Sequence, residues 1–276
     1  MTKAPNSRVN LDRAISRFAG TALTADGLRN TLANAIVAQM LPEGVVKGGT
    51  SLKFRFGCGA ARATMDLDTA WRTSLDSFLH ELRLSLAKGW SNFTGELLIR
   101  RPASPKGIPT DYVMQPCDVK LSYLGTPWYT VQLEVGHNEV GDADEAERVA
   151  VPKEVADLCS HLCFPEPGSI PVMLLEYQVA QKLHGASAPN SKRAHDLVDL
   201  QLIMAHKSVD LAKTREICHR VFYYRKVHAW PPKIERGDNW DAIYRLQRRN
   251  LPVLPTVEEA IVWANDLIDQ IEESKK

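Results

Sequence analysis

Two short segments hold the residue types that phosphate and metal chemistry requires. The first reads Val45-Val46-Lys47-Gly48-Gly49-Thr50-Ser51-Leu52, an apolar stretch ending in two glycines and two hydroxyls. The second reads Arg62-Ala63-Thr64-Met65-Asp66-Leu67-Asp68. Glycines where a strand turns into a helix let the backbone approach a triphosphate without Cβ clashes. Free N–H groups at the helix start attract phosphate, and a Ser or Thr hydroxyl there adds a donor. This pattern makes Gly48, Gly49, Thr50 and Ser51 the candidate nucleotide-binding residues. Asp66 and Asp68 are two apart on an expected strand, so both project from one face. Carboxylates at a strand end suit Mg²⁺, a hard cation with oxygen ligands. Metal ions so held can clamp the attacking and leaving oxygens of a phosphoryl displacement. The segment is not a Walker A loop, because Thr50 stands after Gly49 where that motif requires Lys.

The elements that must position these residues follow from the hydrophobic pattern. Residues 11–18 and 24–41 have helical spacing, and Pro42-Glu43-Gly44 ends the second run. Short β-like runs follow at 45–47, 65–70, 95–101, 112–123 and 129–135, with a helix from Thr50 to about Phe56 and another over 75–86. Residues 104–109 and 124–127 carry the turn signals between strands. An acidic stretch at 139–147 leads out of the sheet. Helical patterns then cover 153–162, 172–184, 192–206, 209–224, 239–249 and 256–273. The expected fold is α+β and bilobed. A mixed-sheet lobe with N-terminal helices (residues 1–165) precedes an all-helical lobe (166–276), divided near Pro165-Glu166-Pro167-Gly168.

Composition narrows the function classes. The 276 residues carry 34 Lys+Arg against 33 Asp+Glu, a net charge of +1, with 44% hydrophobic residues. That excludes a disordered polyelectrolyte and a bulk polycation, and leaves enough apolar material for a core. Five cysteines are an odd number, which is no disulfide scaffold. The polar N-terminus has no apolar signal core, and no apolar run is long enough to span a membrane. The expectation is a reduced, cytoplasmic protein with no membrane partner.

A second constellation lies further on: Glu176-x5-Lys182-Leu183, then Lys192-Arg193-Ala194-His195-Asp196-Leu197-Val198-Asp199-Leu200. Asp196 and Asp199 are three apart on an expected helix and share a face beside Lys192 and Arg193. Taken alone, they read as a solvated helix face with intrahelical ion pairs. Taken with the first two segments, they make the chain resemble the AbiEii-type nucleotidyltransferase toxins of the polymerase-beta-like nucleotidyltransferase superfamily. The resemblance covers residues 40–205, with both motifs in the right order. His195 departs from the usual Arg or Lys before Asp196, and Thr50 from the commoner Gly-Gly-Ser arrangement.

The resemblance implies roles. Gly49 and Ser51 would hold the triphosphate. Asp66 and Asp68 would bind the divalent metal, Mg²⁺ or Mn²⁺. Lys182 would neutralise charge on the leaving pyrophosphate. Asp196 would orient Lys182 or help position the acceptor hydroxyl. The active site would lie in the cleft between the lobes. The superfamily also implies a third carboxylate on a later strand, for which Glu134 and Asp118 compete. Glu134 is the acid flanked by apolar neighbours in Val131-Gln132-Leu133-Glu134-Val135.

Other chemistries are set aside. Cys159-Ser160-His161-Leu162-Cys163 has no second Cys/His pair to complete a zinc site, so these cysteines read as small buried hydrophobes on a helix. Cys58 has no base near it in sequence. From Lys182 to Arg249 there are 14 Lys+Arg and 7 Asp+Glu, a local +7. Within it Arg220, Arg225, Lys226, Arg245, Arg248 and Arg249 mix with Tyr223, Tyr224 and Trp230. That mix suits a phosphate backbone with unstacked bases, or equally a helical surface with aromatics inside and cations outside. The combined expectation is a nucleotidyltransferase toxin that moves a nucleoside monophosphate from an NTP to a tRNA acceptor end. A cognate antitoxin of the DNA-binding repressor type is the implied partner. The alternatives are a protein or small-molecule acceptor, γ-phosphate transfer, or a silent RNA- or partner-binding module.

Overall fold

The computed structural model describes residues 3–19, 24–72, 74–102, 113–206 and 208–274. The expected turn at 104–109 and the first residue of the expected strand at 112 lie outside them. The chain divides into two compact units: Met1–Gly59 with Ala63–Val172, and Ala60–Arg62 with Met173–Lys276.

The first unit begins with α1 (Arg8–Phe18) and α2 (Ala25–Ala38). Ser7 and Thr24 cap them by accepting from the N–H groups of Asn10 and Gly27. A seven-stranded mixed sheet follows: β1 (Gly44–Lys47), β2 (Leu67–Trp71), β3 (Phe93–Ile99), β4 (Gln115–Tyr123), β5 (Thr126–Gly136), β6 (Ala146–Val149) and β7 (Ile170–Met173). The strand order is β3-β4-β5-β2-β1-β7-β6. The site depends on its centre, where β1 runs antiparallel to β2 and β2 parallel to β5. Helices α3 (Gly48–Phe56), α4 (Leu75–Lys88) and α5 (Lys153–His161) complete the unit. On the central strands Val46, Leu67, Leu133 and Val135 join the core with Leu32 and Ile36 of α2. Alternation along each strand therefore sends Lys47, Asp68 and Glu134 to the opposite face.

The second unit is helical: α6 (Leu175–Ser187), α7 (Ala194–His206), α8 (Leu211–Arg225), α9 (Trp240–Gln247) and α10 (Val257–Glu273). Helix α6 packs on α7 and α8, and α7 on α9 and α10. Leu183, Leu197, Leu200, Val221 and Ile268 are buried between them. No described helix is long and apolar enough to cross a membrane.

The α+β class and mixed sheet match the expectation, with three local differences. The run expected as one helix at 172–184 is split, because Ile170-Pro171-Val172-Met173 forms β7 before α6 starts at Leu175. A strand paired into a buried sheet reads as a continuous apolar run, which periodicity cannot separate from a buried helix. The acidic exit contains β6, whose Glu147 and Arg148 suit the end of a sheet, where charge discourages further pairing. Cys163 is not on a helix face. Helix α5 ends at His161, and Cys163 is exposed at φ 57°, while Cys159 is buried with its thiol pushed up to about 12 by burial.

Candidate active site

In the first unit, β1 turns into α3 at Gly48. The residue at the helix boundary, Lys47, makes no side-chain capping bond, so the first N–H groups of α3 keep their donor capacity. Gly48 sits at φ +65°, and a Cβ there would collide with the carboxylate of Asp68. Both facts demand glycine. Thr50 and Ser51 are buried, and their hydroxyls donate within the turn: Thr50 Oγ1 to the Asp66 carbonyl at 2.6 Å, Ser51 Oγ to the Gly48 carbonyl at 2.8 Å. In this arrangement the backbone of the turn, rather than the two hydroxyls, presents donors to an anion.

The strand carrying Asp68 begins at Leu67, so Asp66 precedes the ladder instead of lying within it. Buried polar side chains hold that approach segment by its carbonyls. Lys53 Nζ donates to Thr64 O at 3.2 Å, Asn30 Nδ2 to Met65 O at 3.1 Å and Thr50 Oγ1 to Asp66 O at 2.6 Å. Asn34 Nδ2 also reaches Met65 O, at 3.4 Å. Three consecutive carbonyls are thereby satisfied by α2 and α3, which explains the polar side chains buried on those helices.

Asp68 pairs directly with Glu134 across β2 and β5. Residues at one register position project to the same side, so the two carboxylates are neighbours on the face away from the core. Asp118 is placed elsewhere: it stands opposite Gln132, and Arg100 holds its carboxylate at 3.0 Å. Among the described residues no group of three or more His, Cys, Asp or Glu side chains could hold a metal ion. Two adjacent carboxylates fit Mg²⁺ when nucleotide phosphates and water supply its other oxygens.

In the second unit, Lys182 of α6 meets both acids of α7. Its Nζ lies 3.1 Å from Asp196 Oδ1 and 2.6 Å from Asp199 Oδ2. Arg193 Nε reaches Asp196 Oδ2 at 2.5 Å, and Arg62 Nε lies 3.0 Å from both oxygens of Asp199. Lys182, Asp196 and Asp199 are all buried. This is the reverse of the solvated helix face that the spacing alone suggests. Burial by itself would raise the Asp196 carboxyl, but Arg193 and Lys182 hold it well below the usual carboxylate range. His195 Nε2 is 3.7 Å from Asp196 Oδ1. Burial pushes this imidazole down to about 4, with Asp196 pulling upward and Arg62, Arg193 and Lys182 reinforcing the drop. It is neutral at pH 7, so Lys182, Arg193 and Arg62 are the cations that meet the two carboxylates. The sequence assigns no role to Arg62 or Asp199. Arg62 is 137 positions from its partner, which no periodicity encodes, and only its place ahead of Asp66 marks it.

The six candidate RNA-contacting cations divide. Arg220 on α8, Lys226 at its end, Arg245 on α9 and Arg249 beyond it are exposed. Arg225 is half-buried with its guanidinium 3.2 Å from His184 Nδ1, and Arg248 is half-buried too. Tyr223, three residues from both Arg220 and Lys226, is 82% exposed.

Residues 28–266 match the family model described as nucleotidyl transferase AbiEii toxin, type IV TA system. A search of curated proteins returns no match. Among solved structures the chain is similar to MenT4, a nucleotidyltransferase toxin from Mycobacterium tuberculosis H37Rv. That match has 17% identity and a TM-score of 0.52 over 96% of this chain and 99% of the other. It is also similar to JHP933 from Helicobacter pylori, at 14% identity and a TM-score of 0.45 over 90% and 92% of the two chains. The family model spans both motif segments and most of the chain, so the protein belongs to the AbiEii family of type IV toxin nucleotidyltransferases and is itself a nucleotidyltransferase.

Proposed function

We propose that this enzyme, with Mg²⁺ or Mn²⁺, transfers a nucleoside monophosphate from an NTP to the 3′ end of tRNA and so blocks translation. The observation that carries the reading is the pairing of Asp68 with Glu134 beside the uncapped start of α3. In the first unit, Gly48 and Gly49 offer backbone donors to the triphosphate, and Thr50 and Ser51 hold the turn that presents them. Asp66, Asp68 and Glu134 are the carboxylates that would hold the divalent cation, which when bound neutralises phosphate charge. In the second unit, Lys182 supplies a positive charge to the departing pyrophosphate, and its bond to Asp196 supports an orienting role for that carboxylate.

The 3′-hydroxyl oxygen bonds to the α-phosphorus as the bond to the β-phosphate bridging oxygen breaks. Pyrophosphate leaves, and the hydroxyl proton passes to solvent. Exposed Arg220, Lys226, Arg245 and Arg249, with Tyr223, support an RNA acceptor, since cations beside an open aromatic face suit phosphates and unstacked bases. Arg225 and Arg248 would contribute from the margins of that surface. Family membership implies an NTP substrate and an antitoxin partner. We assign the antitoxin to the DNA-binding repressor type.

The test incubates the protein with each α-³²P-labelled NTP, Mg²⁺ and total tRNA, then resolves the RNA. Label on tRNA that disappears in Asp68→Ala, Glu134→Gln and Lys182→Ala supports the reading. Label on protein, or transfer from γ-³²P only, overturns it.

A further inference from the structure

Lys47 shares a row with the two carboxylates. It is the β1 partner of Asp68, which is the β2 partner of Glu134, so one line across three strands reads Lys47, Asp68, Glu134 on the face away from the core. The Lys47 side chain does not stop at its neighbour. A Cβ built on Gly136 would lie 2.8 Å from Lys47 Nζ and 3.3 Å from its Cε. The chain therefore crosses β2 diagonally and ends over β5, two residues past Glu134. Gly136 has no side chain to obstruct it, and Ala70, the β2 partner of Gly136, has only a methyl. No carboxylate lies within ion-pair distance of the ammonium among the described residues. A half-buried cation without a counter-ion invites an anionic ligand.

Register fixes which anion. Gly48 and the start of α3 lie at the carboxyl end of β1, whereas Gly136 stands level with Ala70 and hence with Val45, two residues back. Two residues of strand span about 7 Å. The ammonium is thus on the far side of the carboxylates from the helix start that faces the triphosphate. In an in-line displacement the attacking and leaving oxygens lie on opposite sides of the phosphorus. With pyrophosphate departing toward α3, the acceptor enters from the Gly136 side.

We propose that Lys47 is an acceptor-positioning residue whose ammonium binds the last phosphodiester of the incoming RNA strand. This rests on the proposed transfer to an RNA 3′ end and adds that the enzyme recognises a phosphate beside the hydroxyl it modifies. A protein or sugar hydroxyl lacks that phosphate and makes no use of Lys47.

The test measures steady-state transfer with tRNA and NTP varied separately, over a range of salt, for wild type, Lys47→Met, Lys47→Gln and Lys47→Arg. Thermal unfolding checks the fold of each. In the Met and Gln variants KM for tRNA rises about tenfold while KM for NTP holds. The slope of log kcat/KM for tRNA against log salt becomes shallower by about 0.7, the effect of one lost single-strand phosphate contact. Lys47→Arg stays near wild type. A rise in KM for NTP with none for tRNA overturns the proposal, and so does a fall in kcat with an unchanged salt slope. Wild type that labels no RNA overturns the acceptor reading and this role together. Normal RNA labelling with an unmoved KM in folded Lys47→Met and Lys47→Gln overturns this role alone.

Discussion

Gly48 and Asp68 occupy adjoining space so closely that no side chain can stand between them: any Cβ on Gly48 would enter the Asp68 carboxylate. The glycine turn and the strand carrying Asp68 are therefore fitted to each other through one missing side chain. The left-handed backbone of Gly48, at φ +65°, adds about 1–2 kcal/mol of cost for any other residue. Gly48→Ala is expected to lower stability by at least that amount and to abolish transfer by displacing Asp68. Gly59→Ala is the control, since nothing lies within 4 Å of a Cβ there. Thermal unfolding and labelling of RNA by both variants check this. Full activity in Gly48→Ala would refute the fit.

Asp66 depends on a hydroxyl as much as on its own strand. Thr50→Val keeps the shape but removes the donor to the Asp66 carbonyl. The lost bond costs about 1–3 kcal/mol where the carbonyl finds no other donor. The larger consequence is functional, because the segment before β2 loses the tether at Asp66 itself. We expect weaker Mn²⁺ binding in a titration and a raised metal requirement for transfer, with Thr50→Ser restoring both. An unchanged metal requirement in Thr50→Val would show that the neighbouring bonds from Asn30 and Lys53 suffice.

Buried Lys182, Asp196 and Asp199 form a charge network with half-buried Arg62 and exposed Arg193, and removing a buried member weakens the pairing of the others. Breaking such a pair typically costs about 3–5 kcal/mol. Asp199→Asn is expected to fall in that range by chemical denaturation, because it weakens the bonds from Lys182 and Arg62 together. The exposed pair Lys153–Asp157 gives the contrast, since Lys153→Ala should leave the midpoint almost unmoved. Equal effects of the two substitutions would mean that the buried network is not set by charge.

These relationships differ in how far they could be read from the chain itself. The turn from β1 into α3 is local: an apolar run, two glycines and two hydroxyls state it within eight residues. In the sequence Glu134 competes with Asp118, and its place opposite Asp68 was not legible because register depends on how β2 and β5 align. Asp66 read as a strand residue because alternation says nothing about a carbonyl captured by a threonine sixteen positions earlier. Asp196 and Asp199 were visible as a shared face, but their burial comes from Lys182 on one side and Arg62 on the other. The β7 strand was hidden because burial of all but Pro171 erases the alternation that marks a strand.

Buried His184 and half-buried His195 give the protein a calculable response to acid. Burial, with Arg225 next in importance, pushes His184 down to about 3, and His195 is pushed down to about 4. In the unfolded chain both titrate near 6.5. The folded state thus binds fewer protons than the unfolded state once pH falls below 6.5. Stability from these groups is complete at neutral pH and is lost as pH drops toward their folded values. Each contributes a loss of about 2 kcal/mol between pH 6.5 and 5, and His228, lowered by burial, adds in the same direction. Asp196, held below the usual carboxylate range, contributes only at still lower pH. Chemical denaturation at pH 7.5, 6 and 5 should show this decline, and His184→Gln or His195→Gln should each flatten part of it. An acid slope identical to wild type in both variants would place the proton uptake elsewhere.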